Sequence, residues 1–287
     1  PVATLVGNLK QQIHFLERFG IVDVEKLCAE LPRLGLVKAI AERHRFLHWE
    51  LEFAEVFQDG GGFDLILGNP PWIKVEWNEG AVMGDFDPLY VLRNYSAPRL
   101  GKLREEVMAR HSRLRDTYLD EYTESAGKQS FLNATQNYPL LKNIQSNLYK
   151  CFLPQAWAAL CGRGVAGFLH PDGLFDDPAG GALRAAAYKR LRFHFHFQNE
   201  GGFFREAYHR MFFSLNVYAH PRPLVRFMLL ANLFSGSTVD ACFAHSGNGP
   251  VPGIKESDEG WNMKGHAHRI IDVDDEALAL FARVYDD

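Results

Sequence analysis

The chain has 287 residues, the size of one large α/β domain with insertions or of two smaller domains. Hydrophobic residues make up 47% of the chain and charged residues 23%, which excludes a wholly disordered protein. The formal net charge is −4, so the chain lacks the overall basic field of a protein that coats nucleic acid. Local basic clusters are still compatible with this charge.

The cysteine pattern and the apolar runs indicate the compartment. No two cysteines have the spacing of a zinc site or a redox motif, so we expect buried thiols in a reducing environment. The longest apolar run, 224–234, is interrupted by Arg226 and Asn232 and is far shorter than the roughly 20 residues of a membrane helix. The amino-terminal residues do not resemble a signal peptide. We therefore expect a cytoplasmic protein without a membrane-spanning segment.

Helices and one buried strand are predicted in the first part of the chain. Apolar residues recur at helical spacing through 8–48, with interruptions at two glycines and a proline. The apolar run 63–68 follows three glycines and precedes Asn-Pro-Pro, which is typical of a buried parallel strand that ends in a turn. Residues 77–142 are polar, charged and irregular, and we interpret them as an insertion.

Helices and strands alternate again after residue 143. Residues 192–198 alternate strictly, with phenylalanines on one face and His194 and His196 on the other, which predicts a strand. The alternation of elements predicts an α/β fold with a parallel sheet covered by helices. The predicted elements are a helix over 148–160, a strand over 164–169, a helix over 182–191, and strands over 192–198 and 211–218.

The motif Gly68-Asn69-Pro70-Pro71-Trp72 follows the first predicted strand, at the end where open α/β sheets bind ligands. An amine conjugated with a purine ring is a poor nucleophile, because its lone pair is delocalised into the ring. Two acceptors placed against its N–H bonds favour the geometry needed to attack a methyl donor. The Asn69 side-chain oxygen and the Pro70 carbonyl can supply them. Pro70 and Pro71 stiffen the loop, and Trp72 offers a flat ring on which an extruded base could stack.

Residues 46–57 and 61–72 resemble the DNA adenine-N6 methyltransferase region of type IIG restriction–modification enzymes and of the related BREX-type (phage-growth-limitation) methyltransferases. In that family a Phe-His-Trp segment, then Glu-Phe-Pro-Glu-Val-Phe, runs directly into the catalytic strand; Ala54 stands here in place of the usual proline. The similarity resumes at Asn147 and extends to Tyr218.

The resemblance implies a Rossmann-like class I methyltransferase core, with a mostly parallel sheet, an antiparallel last strand and a helical insertion. It implies a parent enzyme that flips adenine out of double-stranded DNA and methylates the amine with S-adenosylmethionine, within a restriction–modification or phage-defence system. Asn69 and Pro70, with Pro71, would hold the amine, and Trp72 would stack on the base. Phe203 or Phe204 would close over the base from its other side.

The chain departs from the family before residue 46. The Gly-rich donor-binding loop, and the acidic residue that holds the donor ribose, have no counterpart in 1–45. The donor-binding half is therefore expected to be missing, so that the chain is either a fragment that works with the rest of a parent polypeptide or a degenerate homologue. In either case we expect it to be inactive alone.

The resemblance also predicts how the chain is divided into regions. Residues 46–76 and 143–221 would form the catalytic half of the core. The remaining regions would be a helical lead-in over 1–45, a DNA-contacting insertion over 77–142, and the start of a following region over 222–287.

Two basic clusters are candidates for contacts to DNA phosphates, which position DNA without reading its sequence. A solvated helix face is the alternative interpretation of the first cluster, and it stays open. We expect the second cluster to surround the phenylalanines that close over the base; it contains Arg184, Lys189, Arg190, Arg192, Arg205 and Arg210. The first cluster, in the insertion, consists of Arg93, Arg99, Lys102, Arg104, Arg110, Arg113 and Arg115.

Other polar groups give weaker indications. The pairs His194/His196 and His266/His268 lack further ligands at suitable spacing, so we predict no metal site. The acidic residues 272–276 are more typical of a helix amino terminus.

Two other functions remain open. Asn-Pro-Pro-aromatic loops also occur in methyltransferases that act on a protein glutamine amide or an RNA guanine amine, which are planar groups of the same kind. A catalytically inactive module that binds DNA or a partner is the second alternative, and the absent donor loop favours it.

Overall fold

In the computed structural model, the described residues are 24–93, 95–110, 113–144, 146–205, 208–256 and 260–285. The chain divides into two compact units, residues 1–55 and 56–287. The described part of the first unit is helical, which confirms the helical prediction over 24–44; residues 8–23 lie outside the described part. Its helices are α1 (Val24–Glu30), α2 (Pro32–His44) and α3 (Trp49–Glu52), and α4 (Ala54–Gly60) crosses the boundary.

The second unit is built on a six-stranded sheet in the order β1-β2-β4-β3-β5-β6. Strands β1, β2, β3 and β5 run in one direction, while β4 and β6 run in the other. The mixed α/β class is confirmed, and so is the antiparallel insertion of the strand predicted at 211–218. The strands are β1 (Phe63–Gly68), β2 (Leu160–Pro171), β3 (Leu191–Gln198), β4 (Phe212–Ala219), β5 (Arg226–Leu233) and β6 (Ile271–Asp274).

Helices connect and flank these strands. The insertion contains α5 (Glu79–Gly84), α6 (Leu89–Leu92), α7 (Ala97–Arg110) and α8 (Leu114–Asn133). The later helices are α9 (Leu148–Ala159), α10 (Gly173–Asp176), α11 (Gly181–Arg190), α12 (Ser237–Ala244) and α13 (Asp275–Tyr285). Short 3-10 turns lie at Pro139–Leu141, Pro178–Gly180, Asn199–Gly201 and Ala267–Arg269.

The insertion is a helical subdomain with its own apolar core. Met83 and Leu114 are fully buried there, among residues contributed by α5 to α8. Its two ends meet in a short antiparallel bridge, in which the N–H of Val75 donates to the Ser146 carbonyl and that of Leu148 to the Ile73 carbonyl. The insertion therefore leaves and re-enters the core at one point, directly after the motif.

One face of the sheet is covered; the other is covered by α12 over β3 to β5 and is open at β1. Helices α9 and α11 pack on the covered face, over buried residues such as Ala166, Phe168 and Leu191. On the other face of β1, the side chains of Leu65 and Leu67 are 56% and 71% exposed. Strand β1 is also the edge of the sheet. Apolar side chains are normally covered on both faces of a parallel strand, so this edge and face are incomplete in the described part of the chain.

Close backbone contacts explain the glycines around β1. A Cβ on Gly62, whose φ is +131°, would lie 2.5 Å from the Ala159 carbonyl oxygen, and one on Gly164 would lie 2.4 Å from the Phe63 carbonyl oxygen. A side chain at either position would collide with the nearby backbone. Strand β1 can therefore begin to pair with β2 only when residues 62 and 164 are both glycine. Residues 162–164, expected to turn into the second strand, belong to β2 itself.

The segment after residue 221, which the sequence pattern sets apart, adds β5 and β6 to the same sheet. The apolar run 224–234 forms β5, and among the described residues no helix is long and apolar enough to cross a membrane. Asp275 and Glu276 occupy the first turn of α13, which confirms the helix-terminus interpretation for these two acids.

Candidate functional site

The motif forms the loop at the carboxyl end of β1. Pro70 is buried, while Asn69 is exposed and its side chain makes no hydrogen bond to the described residues. A Cβ on Gly68 would come within 3.2 Å of the Phe168 ring, so the loop leaves the strand in close contact with β2. The loop thus begins in close contact with β2, and at the edge of the sheet it presents an exposed amide with no hydrogen bond to the described residues.

Trp72 is anchored against the neighbouring strands. Its indole N–H donates to the Leu169 carbonyl at 3.4 Å, near the end of β2. Its ring packs on Phe204, with the centroids 5.0 Å apart and the planes at 66°, and on Phe213 at 6.2 Å. The structure therefore brings together Trp72 and Phe204, which are 132 positions apart.

Phe203 and Phe204 follow β3 but have different surroundings. Phe203 is 45% exposed and contacts the edges of Phe197 and Phe213. Phe204 is half-buried and lies directly against Trp72. Of the two, Phe204 is the ring that faces the motif.

A buried polar network lies on the covered face of the sheet, beneath the loop after β2. His170 is fully buried; its Nδ1–H donates to the Pro171 carbonyl at 2.9 Å, and its Nε2 accepts from the Tyr218 hydroxyl at 2.9 Å. Asn216 donates to the same Nε2 at 3.0 Å and accepts from His194 Nδ1 at 2.6 Å. Burial lowers the pKa of His170 to about 4, so its ring is neutral at neutral pH.

The same network contains a short contact between a histidine and a carboxylate. His196 Nε2 lies 2.5 Å from Asp172 Oδ2, and the other carboxylate oxygen of Asp172 is buried without a hydrogen bond to the described residues. Burial opposes ionisation of Asp172, but the hydrogen bond with His196 prevails and leaves the pKa of Asp172 below its ordinary value. Asp172 and His170 were not predicted as members of this network. Its only sign in the sequence was the alternation that placed His194 and His196 on one face of a strand.

The histidine pairs have partners within the protein. His194 and His196 bind Asn216 and Asp172, as described above, and His266 is buried against His245 with ring centroids 4.2 Å apart. Among the described residues, no group of histidines, cysteines and acids is arranged to hold a metal ion.

The basic cluster of the insertion lies on and around α7. Arg104 differs from the others: it is bonded to Glu79 at 2.5 Å and lies over the Tyr118 ring, so it ties α7 to α5 and α8. Arg93 bonds the Tyr95 hydroxyl, and Arg110 lies 3.9 Å from Glu106 on an exposed turn. The side chains of the remaining members are exposed and make no ion pair or hydrogen bond with the described residues: Arg99, Lys102, Arg113 and Arg115.

The second basic cluster is divided: Arg205 and Arg210 lie in the same loop as Phe203 and Phe204, whereas Arg190 and Arg192 do not. Arg190 and Arg192 lie at the amino end of β3, whereas Phe203 and Phe204 follow its carboxyl end. The two ends of this eight-residue strand are about 25 Å apart. Arg190 stacks on the Trp157 ring, and Arg192 donates to backbone carbonyls, including that of Arg190 at 3.0 Å. Arg190 therefore lies in the last turn of α11 and Arg192 in the first residues of β3, both away from the phenylalanines.

A cavity of about 320 Å³ lies near the base of the insertion. Its lining includes Lys74, Asn147, Tyr149 and Asp176, but no residue of the motif and neither Phe203 nor Phe204. It is therefore separate from the aromatic site.

Comparison with known proteins bears on this site. The family described as Eco57I restriction-modification methylase matches residues 10–99. No curated protein matches the chain.

Two solved structures are similar at low identity. The methyltransferase subunit of a type I restriction-modification system from Streptococcus thermophilus is 14% identical, with a TM-score of 0.35, over 83% of this chain and 35% of that one. The ATP-dependent Type ISP restriction-modification enzyme LlaBIII, solved bound to DNA, is 14% identical, with a TM-score of 0.30, over 61% of this chain and 10% of that one. The chain thus spans about a third and a tenth of these two proteins.

The matched segment contains β1, the motif 68–72 and the residues 46–57 that carried the resemblance. Over residues 10–99 the chain is therefore similar to the restriction–modification methylases, and the resemblance expected from its sequence is confirmed.

Proposed function

We propose that the chain is the catalytic half of a site-specific DNA methyltransferase of a restriction–modification system, which presents the exocyclic amine of a flipped adenine for methylation. The observation that carries this proposal is the placement of Asn69. Its amide is exposed and unbonded at the carboxyl end of β1, beside the anchored Trp72. The family match over the same residues supports the type of chemistry.

Asn69 and Pro70 act on the amine. The Asn69 side-chain oxygen and the Pro70 carbonyl each accept one N–H of the adenine amine, which directs its lone pair away from the ring plane. Neither acceptor has to ionise, so the effect comes from positioning and a preorganised dipole. Pro70 and Pro71 fix the backbone that carries both acceptors.

Trp72 and Phe204 hold the base. A planar base lying between two rings needs about 7 Å between them, twice an ordinary carbon contact distance. The ring centroids of Trp72 and Phe204 are 5.0 Å apart in the structure, which is too close to admit a base between them. The base therefore enters by displacing one ring, and it gains stacking on Trp72 in exchange for the contact between the two rings.

The described residues do not form a site for S-adenosylmethionine, the methyl donor of the family. Residues 24–44 are helical or connect helices and contain no Gly-rich turn beside an acidic residue. Strand β1 is the edge of the sheet, so no second strand and loop lie next to Asn69 in the described part of the chain. We propose that the donor site belongs to a polypeptide segment that pairs with this edge and covers Leu65 and Leu67.

The helical insertion is the part proposed to contact DNA. It leaves the core directly after the motif, and four of its cations are exposed and have no ion-pair partner among the described residues: Arg99, Lys102, Arg113 and Arg115. Such cations neutralise phosphates and orient the duplex without reading its sequence.

An inactive module is the second candidate, because the described residues form no donor site. Transfer of labelled methyl groups by the complete reading frame containing these residues, with duplex DNA, structured RNA and a glutamine-bearing protein as acceptors, distinguishes the functions. We expect N6-methyladenine in DNA. Label in glutamine or RNA guanine would replace the adenine assignment, and no transfer to any acceptor would favour the inactive module.

A further inference from the structure

Asn199 holds the backbone of Phe204 on two sides. It directly follows β3 and is 1% exposed; its Oδ1 accepts the Phe204 N–H and its Nδ2 donates to the Phe204 carbonyl, both at 2.9 Å. The same Nδ2 lies 3.4 Å from the Tyr208 carbonyl, and the backbone N–H of Asn199 donates to Met211 at 2.9 Å. One buried side chain thus organises the loop that carries the aromatic ring.

This arrangement requires an amide. A primary amide presents a donor and an acceptor side by side, which matches the N–H and C=O of a single backbone residue. A carboxylate has no donor, and an apolar side chain has neither group, so each would leave a buried backbone group of Phe204 unsatisfied. The identity of residue 199 is therefore tied to the placement of Phe204.

We propose that Asn199 is a positioning residue for base capture, acting through Phe204; this inference rests on the proposed function. Trp72 is fixed on one side of the slot by its bond to Leu169. Asn199 fixes the backbone of Phe204 on the other side. With both anchors in place, the slot opens by rotation of the Phe204 ring alone, and the ring returns against the inserted base.

Base capture is measurable without methyl transfer. The probe is a single-stranded oligothymidylate that carries one central 2-aminopurine, whose fluorescence is quenched when it stacks between aromatic rings. Anisotropy of the same oligonucleotide without 2-aminopurine reports backbone binding. The test compares the wild-type chain with Asn199→Asp and Asn199→Ser, and with Gln198→Ala as the matched control, because Gln198 precedes Asn199 and contacts Glu200 through an exposed bond.

We expect both Asn199 variants to weaken 2-aminopurine capture about tenfold, the effect of losing one buried hydrogen bond. Affinity for the plain oligothymidylate should stay within a factor of two, and Gln198→Ala should behave as the wild type. In a Phe204→Ala background, Asn199→Ser should have no further effect on capture, because the two residues act through one contact.

The pH profile gives an independent check. A protonated carboxyl at position 199 has one O–H donor and one acceptor, the same pattern as the amide, and burial favours that protonated form. Capture by Asn199→Asp, relative to the wild type at each pH, should therefore recover as the pH falls from 8 to 5. Asn199→Ser should show no such recovery.

The outcomes separate this inference from the proposed function. If the wild type captures the base and Trp72→Ala does not, but both Asn199 variants match the wild type, only the inference is overturned. A parallel loss of plain-oligonucleotide binding and of near-UV circular dichroism would show that Asn199 merely supports the fold, which also overturns it. If the wild type captures no base, base flipping by this site fails, and the inference fails with it.

Discussion

His170 shows how a single buried residue couples the fold to pH. Its ring joins the end of β2 to β4 by bonds to Pro171, Asn216 and Tyr218, and these bonds require the neutral form with the proton on Nδ1. Protonation of Nε2 would place a hydrogen against the hydrogens of two donors. The loop after β2 is therefore held in place by a group that resists protonation.

This residue should make the protein less stable in acid. In the unfolded chain His170 titrates near its ordinary 6.5, whereas the folded state keeps the proton off until about 4. Between these pH values the unfolded state binds the extra proton, so stability falls as the pH falls. Urea unfolding should show a loss of about 2 kcal/mol between pH 7 and pH 5 from this group.

The variant His170→Gln isolates that contribution. Its loss of stability over the same pH interval should be smaller than that of the wild type by about 2 kcal/mol. The control His209→Gln, at an exposed position, should keep the wild-type dependence. An unchanged pH dependence in His170→Gln would contradict the assignment of His170 as a neutral buried ring.

Residues of the site differ in how far sequence could predict them. Asn69 to Trp72 were predictable because the motif is contiguous and its position after an apolar strand is a local signal. Asp172, His170 and Asn199 were not, because their partners lie on strands or loops that only the folded sheet brings together. Asn199 alone resembles an ordinary polar residue at a strand end.

The exposed face of α7 is the element on which the proposed DNA contact depends. Arg99, Lys102 and Arg110 are exposed on one side of this helix, beside the face that buries Leu100 and Val107. The helix could be a solvated surface, as the sequence also allows. The salt dependence of binding separates the two interpretations.

A triple variant, Arg99→Gln/Lys102→Gln/Arg110→Gln, should weaken binding of random duplex DNA and reduce the slope of log affinity against log salt. Each lost phosphate contact removes about 0.9 from that slope, so three remove nearly 3. Lys128→Gln on α8, where Lys128 is paired with Glu124, serves as the control and should leave the slope unchanged. An unchanged slope in the triple variant would make α7 a solvated face.

Helices and strands could be predicted where the spacing of apolar residues within the segment itself indicates them. The strict alternation of 192–198 and the apolar helix at 148–160 match β3 and α9 within one residue at each end. The charged insertion shows no helical period of apolar residues in its sequence. Its small core is built from four helices, and each helix contributes only one or two buried residues. Strand β5 was missed because Arg226 and Asn232 interrupt its apolar run.

At the scale of the whole molecule, the main feature is that β1, an edge strand in the described part of the chain, leaves apolar side chains exposed. Leu65 and Leu67 belong to a strand whose composition is that of a buried one, yet they are 56% and 71% exposed at the sheet edge. The order of the strands could not be predicted from the pattern of the elements alone. The open edge next to the motif is where a donor-binding segment would complete the fold.

Completion of the sheet should change the effect of one substitution. Leu67→Asp in this chain alone should alter the free energy of unfolding by less than about 0.5 kcal/mol, because the side chain is already in water. In the complete reading frame the same change should cost about 2 kcal/mol or more, since an unpaired carboxylate would be buried. Leu92→Asp, at a position 78% exposed in the insertion, should be neutral in both. Equal, small effects of Leu67→Asp in both proteins would contradict an occupied edge.

The central claim is that the free amide of Asn69 positions the amine of adenine. The measurement is transfer of labelled methyl groups from S-adenosylmethionine to duplex DNA by the complete reading frame, comparing the wild type with Asn69→Ala and Asn69→Asp. Removing the acceptor should lower the rate at least about 100-fold, the scale of one preorganised hydrogen-bonding group, while DNA affinity changes less than about twofold. Asn69→Asp keeps an acceptor and should retain measurable transfer. Methylation of adenine by Asn69→Ala at the wild-type rate would contradict the account.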